Sequence, residues 1–248
     1  MEYQGEHILI GQTGHVLLAF SFISIILCIG YIIFRRLKAG SWCRNIPAEV
    51  LFYFHFLSVS IASLLLLRML FGHYFEYSYV WQYSSRQQSP LYLISAFWAG
   101  QEGSFLLWIF FQAVLGSIIL RQGVRWRYEL ILIICFSQLF LLSMVLGVNI
   151  LGVRIGSSPF LLLRNMPENI NSPFFSSPDY LAFIADGNGL NPLLENIWMA
   201  IHPPVLFLGY AATLIPFAYV IVYLFYKPDD KWLPSLMSWL NFSVLILG

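Results

Sequence analysis

The sequence predicts an all-α fold: a polytopic helical membrane protein with five complete transmembrane helices, a truncated sixth, and one long outer loop containing a short amphipathic helix. Three observations predict it. The 248 residues are 59% hydrophobic and only 10% charged, with a mean hydropathy of +0.74, well outside the range of soluble domains. Apolar stretches long enough to cross a hydrocarbon core of about 30 Å recur along the chain, each needing about 20 residues as a helix. Short polar connections, carrying most of the charge, separate them.

The spans fall at 14–34, 48–71, 93–120, 130–150 and 203–226, with a partial span at 236–248 and an outer loop at 151–202. Nothing basic precedes the first span, so it reads as a retained anchor rather than a cleaved secretory signal. It contains His15, and the second span contains His55 and Arg68. Either histidine, in an apolar setting, is a candidate metal or haem ligand, although packing with a hydrogen bond is the commoner role for a lone helical histidine. The last segment is too short to cross a bilayer and ends without a polar anchor, so the chain reads as an amino-terminal fragment cut inside a membrane helix. No internal repeat, low-complexity tract or composition shift divides residues 1–248, which are read as one membrane domain.

Lysine and arginine set the orientation. The connections after the first, third and fifth spans carry Arg35, Arg36, Lys38, Arg44, Arg121, Arg125, Arg127, Lys227 and Lys231, whereas the opposite side carries only Arg86, Arg154 and Arg164. This asymmetry puts the amino terminus and the 151–202 loop outside. A net charge of +1 leaves no basic surface for nucleic acid, which excludes that class of partner. Cys28 and Cys135 fall within spans and Cys43 in an inner connection, so no dithiol faces the oxidising side and no zinc spacing occurs.

The outer connections hold the informative residues. Tyr74, Tyr77, Tyr79, Trp81 and Tyr83 crowd the first of them and read as an interfacial aromatic belt. His7 and His73 read as ordinary loop residues. In the long loop, the serine- and proline-rich middle reads as extended surface chain. Asn191-Pro192 then resembles a helix start, with Leu193, Leu194, Ile197 and Trp198 forming an apolar face that leads to His202.

His202 stands directly before Pro203 and Pro204, which push it out of the α region and open the following helix. A held, exposed imidazole among aromatic residues suits an axial ligand to haem iron or a proton-transfer group. A helix-capping histidine bonded to a loop carbonyl is the plainer alternative. The third span carries the other polar feature, Ala96-Phe97-Trp98-Ala99-Gly100-Gln101-Glu102-Gly103-Ser104. Glu102 is an ionisable group at or below the interface, with Trp98 one turn earlier on the same face and Arg68 available as a partner.

These two segments, Ala96 to Trp108 and Asn191 through His202-Pro203-Pro204 to Tyr210, resemble the paired signatures of the CcmF cytochrome c haem lyase family and of its relative NrfE. Ser157-Ser158-Pro159-Phe160 is similar to a short Asn-Pro-Phe piece of that family. The resemblance covers most of residues 90–225. It implies a haem-handling enzyme subunit in the bacterial inner membrane that accepts haem from a CcmE-like chaperone. The haem would be ligated to the Cys-x-x-Cys-His motif of an apocytochrome c presented by CcmH- and CcmI-like subunits. It implies His202 as an axial ligand of haem iron and one of two outer histidines, with a tryptophan-rich segment and further ligands beyond this chain, so that the fragment alone is not expected to act. Trp98, Glu102, Asn191, Trp198, Pro203, Pro204 and Tyr210 complete the candidate haem-binding set, beside membrane lipid as surroundings. Gln101 departs from the pattern, since many relatives have histidine there, and Asn165 to Ala185 reads as an insertion. A CcsA-type haem exporter is the nearer alternative. A transporter with a polar path through Glu102, His55 and Arg68 is the alternative of a different class, and a purely structural scaffold is a third.

Overall fold

The computed structural model describes residues 3–37, 48–124, 126–150, 153–226 and 232–248. Among them, five helices are long and apolar enough to cross a membrane: α1 (Ile8–Leu37), α2 (Ala48–Phe71), α5 (Gln101–Arg121), α6 (Arg127–Leu146) and α8 (Ile197–Tyr226). The shorter elements are α3 (Ser78–Tyr83), α4 (Pro90–Ala96), α7 (Pro173–Ser176) and α9 (Leu233–Leu247). One local exception to helix is a hairpin, β1 (Val148–Ile150) paired antiparallel with β2 (Val153–Ile155), in which Val148 faces Ile155. It follows Gly147, whose φ of 69° is the left-handed cap that ends α6.

The bundle packs α1 on α2, α5 on α6 and on α8, and α8 on α9. Leu18, Ile25, Phe52, Leu66, Leu106, Ile109, Leu142 and Ile215 are fully or almost fully buried between them. α1, α2, α6 and α8 leave apolar residues exposed, as expected where lipid is the solvent, whereas the central α5 exposes Ile118 as its large apolar residue. At one end, ion pairs join the helices: Arg36 with Glu129, and Arg127 with Glu49 at 2.9 Å, with the Tyr128 hydroxyl donating to Glu49 at 2.8 Å. The Arg36 guanidinium also lies 4.9 Å from the Tyr226 ring, which ties α8 to this end. Lys38, Cys43, Arg44, Arg125, Lys227 and Lys231 lie outside the described residues, as does the side chain of Arg154.

At the opposite end, residues 72–100 and 153–196 fold back over the bundle as a cap. The aromatic connection is not an interfacial belt, because Tyr77 and Tyr79 are buried inside this cap. The Tyr77 hydroxyl donates to the His7 carbonyl at 2.8 Å and accepts the Gly11 N–H at 3.0 Å, fastening α1 to the loop. The middle of the long loop is likewise folded rather than extended: it forms two 3₁₀ turns and α7, and it buries Phe160, Leu163 and Tyr180.

Two buried carboxylates lock the cap. Glu76 accepts the His7 N–H at 2.9 Å and meets the His7 Nδ1 at 3.0 Å, while the His7 ring stacks on Tyr74 at 4.1 Å. His7 is therefore an anchor, not an ordinary loop residue. Glu6 accepts from Arg164 at 2.8 and 3.2 Å and from the Tyr180 hydroxyl at 2.7 Å. Arg164 in turn lies 4.2 Å from the Tyr3 ring. Burial raises the Tyr77 phenol to about 12, and burial with the neighbouring Glu6 raises Tyr180 as well.

Candidate functional site

The third apolar stretch is not one helix. It breaks between α4 and α5, and the chain through Phe97–Gly100 forms a turn whose backbone is satisfied by side chains. The Tyr79 hydroxyl donates to the Phe97 carbonyl at 2.8 Å and to the Ala96 carbonyl at 3.1 Å, and it accepts the Gly100 N–H at 3.1 Å. Ser104 Oγ donates to the Trp98 carbonyl at 2.8 Å. Gly103 is required here, since a Cβ would collide with the Phe97 carbonyl and the Tyr79 hydroxyl. Hydropathy alone runs through this break, which is why the sequence reads as a single span.

Trp98 therefore sits in the turn rather than one helical turn before Glu102. Glu102 occupies the first turn of α5, where a carboxylate complements the exposed N–H groups of the helix start. Its charge, after burial, keeps the Tyr83 phenol above its ordinary value. No ion pair joins it to Arg68 among the described residues, and Arg68 is exposed on α2. His55 is fully buried, 2.6 Å from Ser21 Oγ through Nδ1, and His15 is exposed on α1. The described contacts thus assemble no polar path from Glu102, His55 and Arg68.

The start of α8 also differs from the sequence expectation. Pro192–Leu194 form a 3₁₀ turn, capped by Asn191 Oδ1 accepting the Leu193 N–H at 3.0 Å, and no separate amphipathic helix precedes His202. Instead Asn196 Oδ1 accepts the Met199 N–H at 3.2 Å, three residues on, as a helix cap does, and α8 runs from Ile197 through both prolines. His202 is therefore inside the second turn of a helix, not ahead of it.

The prolines supply the reason that the two motifs meet. Pro203 has no N–H, so the Met199 carbonyl loses its ordinary partner four residues on. That carbonyl accepts the Trp98 indole N–H at 2.9 Å. A donor from the break before α5 thus occupies an acceptor vacated by a proline of α8, and this bond pins the helical turn that carries His202. Below it, Trp108 of α5 lies 6.2 Å from Phe207 and 5.6 Å from Tyr210, with its indole N–H buried and without an acceptor among the described residues.

His202 and Trp198 are exposed, Trp198 at 71%, and Tyr210 is partly so. No hydrogen bond engages the His202 ring among the described residues, so it does not cap a loop. Of the candidate set, the structure joins Trp98 to the His202 turn through Met199. Asn191 is placed in the preceding turn and Glu102 on α5, and among the described residues no hydrogen bond joins either to His202. Tyr79, Asn196, Trp108 and the Met199 carbonyl are the participants that sequence reasoning missed. Only the carbonyl carried a signal, its position four residues before a proline.

Residues 172–248 match the family described as cytochrome C assembly protein. The chain is 26% identical to the cytochrome c-type biogenesis protein CycK of Bradyrhizobium diazoefficiens over 93% of its own length and 32% of the relative's. It is 32% identical to CcmF of Escherichia coli over 67% of its length and 23% of the relative's. NrfE of Haemophilus influenzae is 26% identical over 70% of this chain and 25% of its own. A solved structure titled cytochrome c heme lyase CcmF matches the fold over the whole chain with a TM-score of 0.70, at 21% identity and over 35% of that protein. The chain thus spans about a third or less of these relatives. By these relatives the chain belongs to the CcmF/NrfE family of cytochrome c-type biogenesis proteins.

Proposed function

We propose that this chain handles haem for cytochrome c maturation at the outer face of the bacterial inner membrane, with its capped end outside. His202 is the axial ligand that receives haem iron from a CcmE-like chaperone. The haem then passes to the Cys-x-x-Cys-His motif of an apocytochrome c held by CcmH- and CcmI-like subunits, as in a cytochrome c haem lyase.

The observation that carries this reading is the state of His202: an exposed imidazole, free of any hydrogen bond among the described residues, on a turn fixed by the Trp98 to Met199 bond. A neutral imidazole with an unengaged nitrogen is what haem iron takes as ligand. Trp198, Phe207 and Tyr210 offer flat apolar contact to the macrocycle, and the partial positive charge at the start of α8 favours a propionate. The Trp108 indole N–H, without an acceptor among the described residues, is a further donor on the same helix contact.

Attachment adds each cysteine thiol across one haem vinyl group. The sulfur bonds to one vinyl carbon and the proton goes to the other; nothing leaves and no electrons are exchanged. The protein's part is to hold the haem edge still and keep water out, so its contribution is one of position rather than of acid and base.

Replacement of His202 by alanine in the native gene tests this. The expected result is loss of covalently bound haem in the pyridine haemochrome assay and of haem-stained cytochrome c, with normal membrane levels of the protein. Unchanged cytochrome maturation would refute the assignment.

A further inference from the structure

The cap has a second surface that the haem reading does not use. A cleft of about 750 Å³ opens between α3 and residues 163–188, with Trp81, Phe174, Phe175 and Phe183 on its walls and Glu168 and Asp186 among its lining residues. Its aromatic rings are organised, not scattered. Phe174 meets Phe175 edge-on at 5.0 Å and Phe183 at 6.3 Å, and Phe175 meets the buried Tyr180 at 5.4 Å. Phe183 is nevertheless 73% exposed and Phe174 43%.

Charge narrows the occupant. Among the cap residues, Glu6 and Glu76 are consumed by Arg164 and His7, whereas Glu102, Glu168, Asp179, Asp186 and Glu195 make no ion pair among the described residues. Against these five carboxylates stand Arg68 and Arg86, which make no ion pair among the described residues, and the Arg86 guanidinium is turned onto the Phe75 ring at 5.6 Å. An excess of carboxylates beside exposed aromatic faces repels anionic lipid headgroups and anionic ligands. It attracts a guanidinium or ammonium that can stack on the rings and face a carboxylate.

We infer that the cleft lined by Trp81, Phe174, Phe183 and Glu168 is a docking surface for a cationic, apolar polypeptide segment on the outer side of the membrane. Alternating arginine or lysine and aliphatic side chains satisfy both halves of the surface at once: the cations lie over the rings beside Glu168 and Asp186, and the aliphatic groups cover the exposed edges of Phe174 and Phe183. The Asp186 carboxylate is held in place for this, since its Oδ1 accepts the backbone N–H groups of Arg86 and Gly187, both at 2.8 Å. The inference is independent of any haem ligation at His202.

The purified chain in phosphatidylcholine nanodiscs tests it with a short fluorescein-labelled peptide of alternating arginine and leucine, read by fluorescence anisotropy. Saturable binding is expected, weakening as salt rises and absent for the matching glutamate and leucine peptide. A Phe174→Ser/Phe183→Ser variant should bind about tenfold more weakly. Glu168→Lys, at an exposed position with no side-chain hydrogen bond among the described residues, should weaken binding to a similar degree, about tenfold, without lowering the melting temperature. Equal affinity for the unaltered chain and for both variants would overturn the inference. So would equal binding to empty nanodiscs, which would assign the peptide to lipid.

Discussion

The two sides of the cap are built on opposite terms. Around Glu6 and Glu76, every buried polar group of the N-terminal anchor meets a partner: Arg164, Tyr180 and Tyr77 converge on a segment of only a few residues. Around His202, the imidazole is exposed and without a hydrogen bond among the described residues, aromatic side chains stand in the open, and two side-chain bonds to Met199, from Trp98 to its carbonyl and from its N–H to Asn196, hold the turn. The first side is made for persistence and the second for exchange. Buried carboxylates are costly unless paired, so their presence marks structure that must not move, whereas the unengaged imidazole is, under the proposed function, the position where haem iron binds.

The sharpest way to break the contrast is to unpair the locked side. Glu6→Ala leaves Arg164 and the Tyr180 hydroxyl facing each other without their acceptor, and about 3 kcal/mol of stability should be lost, read as a lower unfolding midpoint in detergent. Alkali should act on the same side without mutation. Because the Tyr77 phenol is raised in the folded chain, the stability it supplies is full below the ordinary tyrosine value of about 10 and is lost as pH rises through about 12. Hydrogen exchange at Gly11 should therefore accelerate in that window before exchange in the bundle does, and Tyr77→Phe should abolish the step.

On the open side the effects are smaller. Trp98→Phe removes the donor to Met199 and should cost about 1 kcal/mol while freeing the first turns of α8, measurable as faster exchange around residues 197–202. Pro203→Ala should have a related consequence by a different route, since the restored N–H competes for the Met199 carbonyl; the indole N–H resonance of Trp98 should shift toward the unbonded value. His202→Ala, at an exposed position with no partner among the described residues, should change stability by less than about 0.5 kcal/mol.

The five long helices were legible because length and hydropathy suffice for a chain whose solvent is lipid. The break before α5 was not: Phe97 and Trp98 keep hydropathy high, and the acceptors that permit the break are satisfied by Tyr79, far back in the sequence. The start of α8 was misjudged for a related reason. Local preference pushes a residue before proline out of the helix, but the cap from Asn196 and the bond from Trp98 override it. The site was legible as two motifs and illegible as one object, because the link is a backbone carbonyl. The Glu6 and Glu76 lock left no trace, since its partners lie 69 to 174 positions apart. His7 could not be told from a loop residue without them.

The account rests on His202 being a free axial ligand, and a haem titration of the purified chain tests this most directly. Haem added in detergent should give a Soret band of ligated iron that His202→Ala loses and His55→Ala keeps, at unchanged helical content. A Soret band that survives in His202→Ala with the same affinity would contradict it.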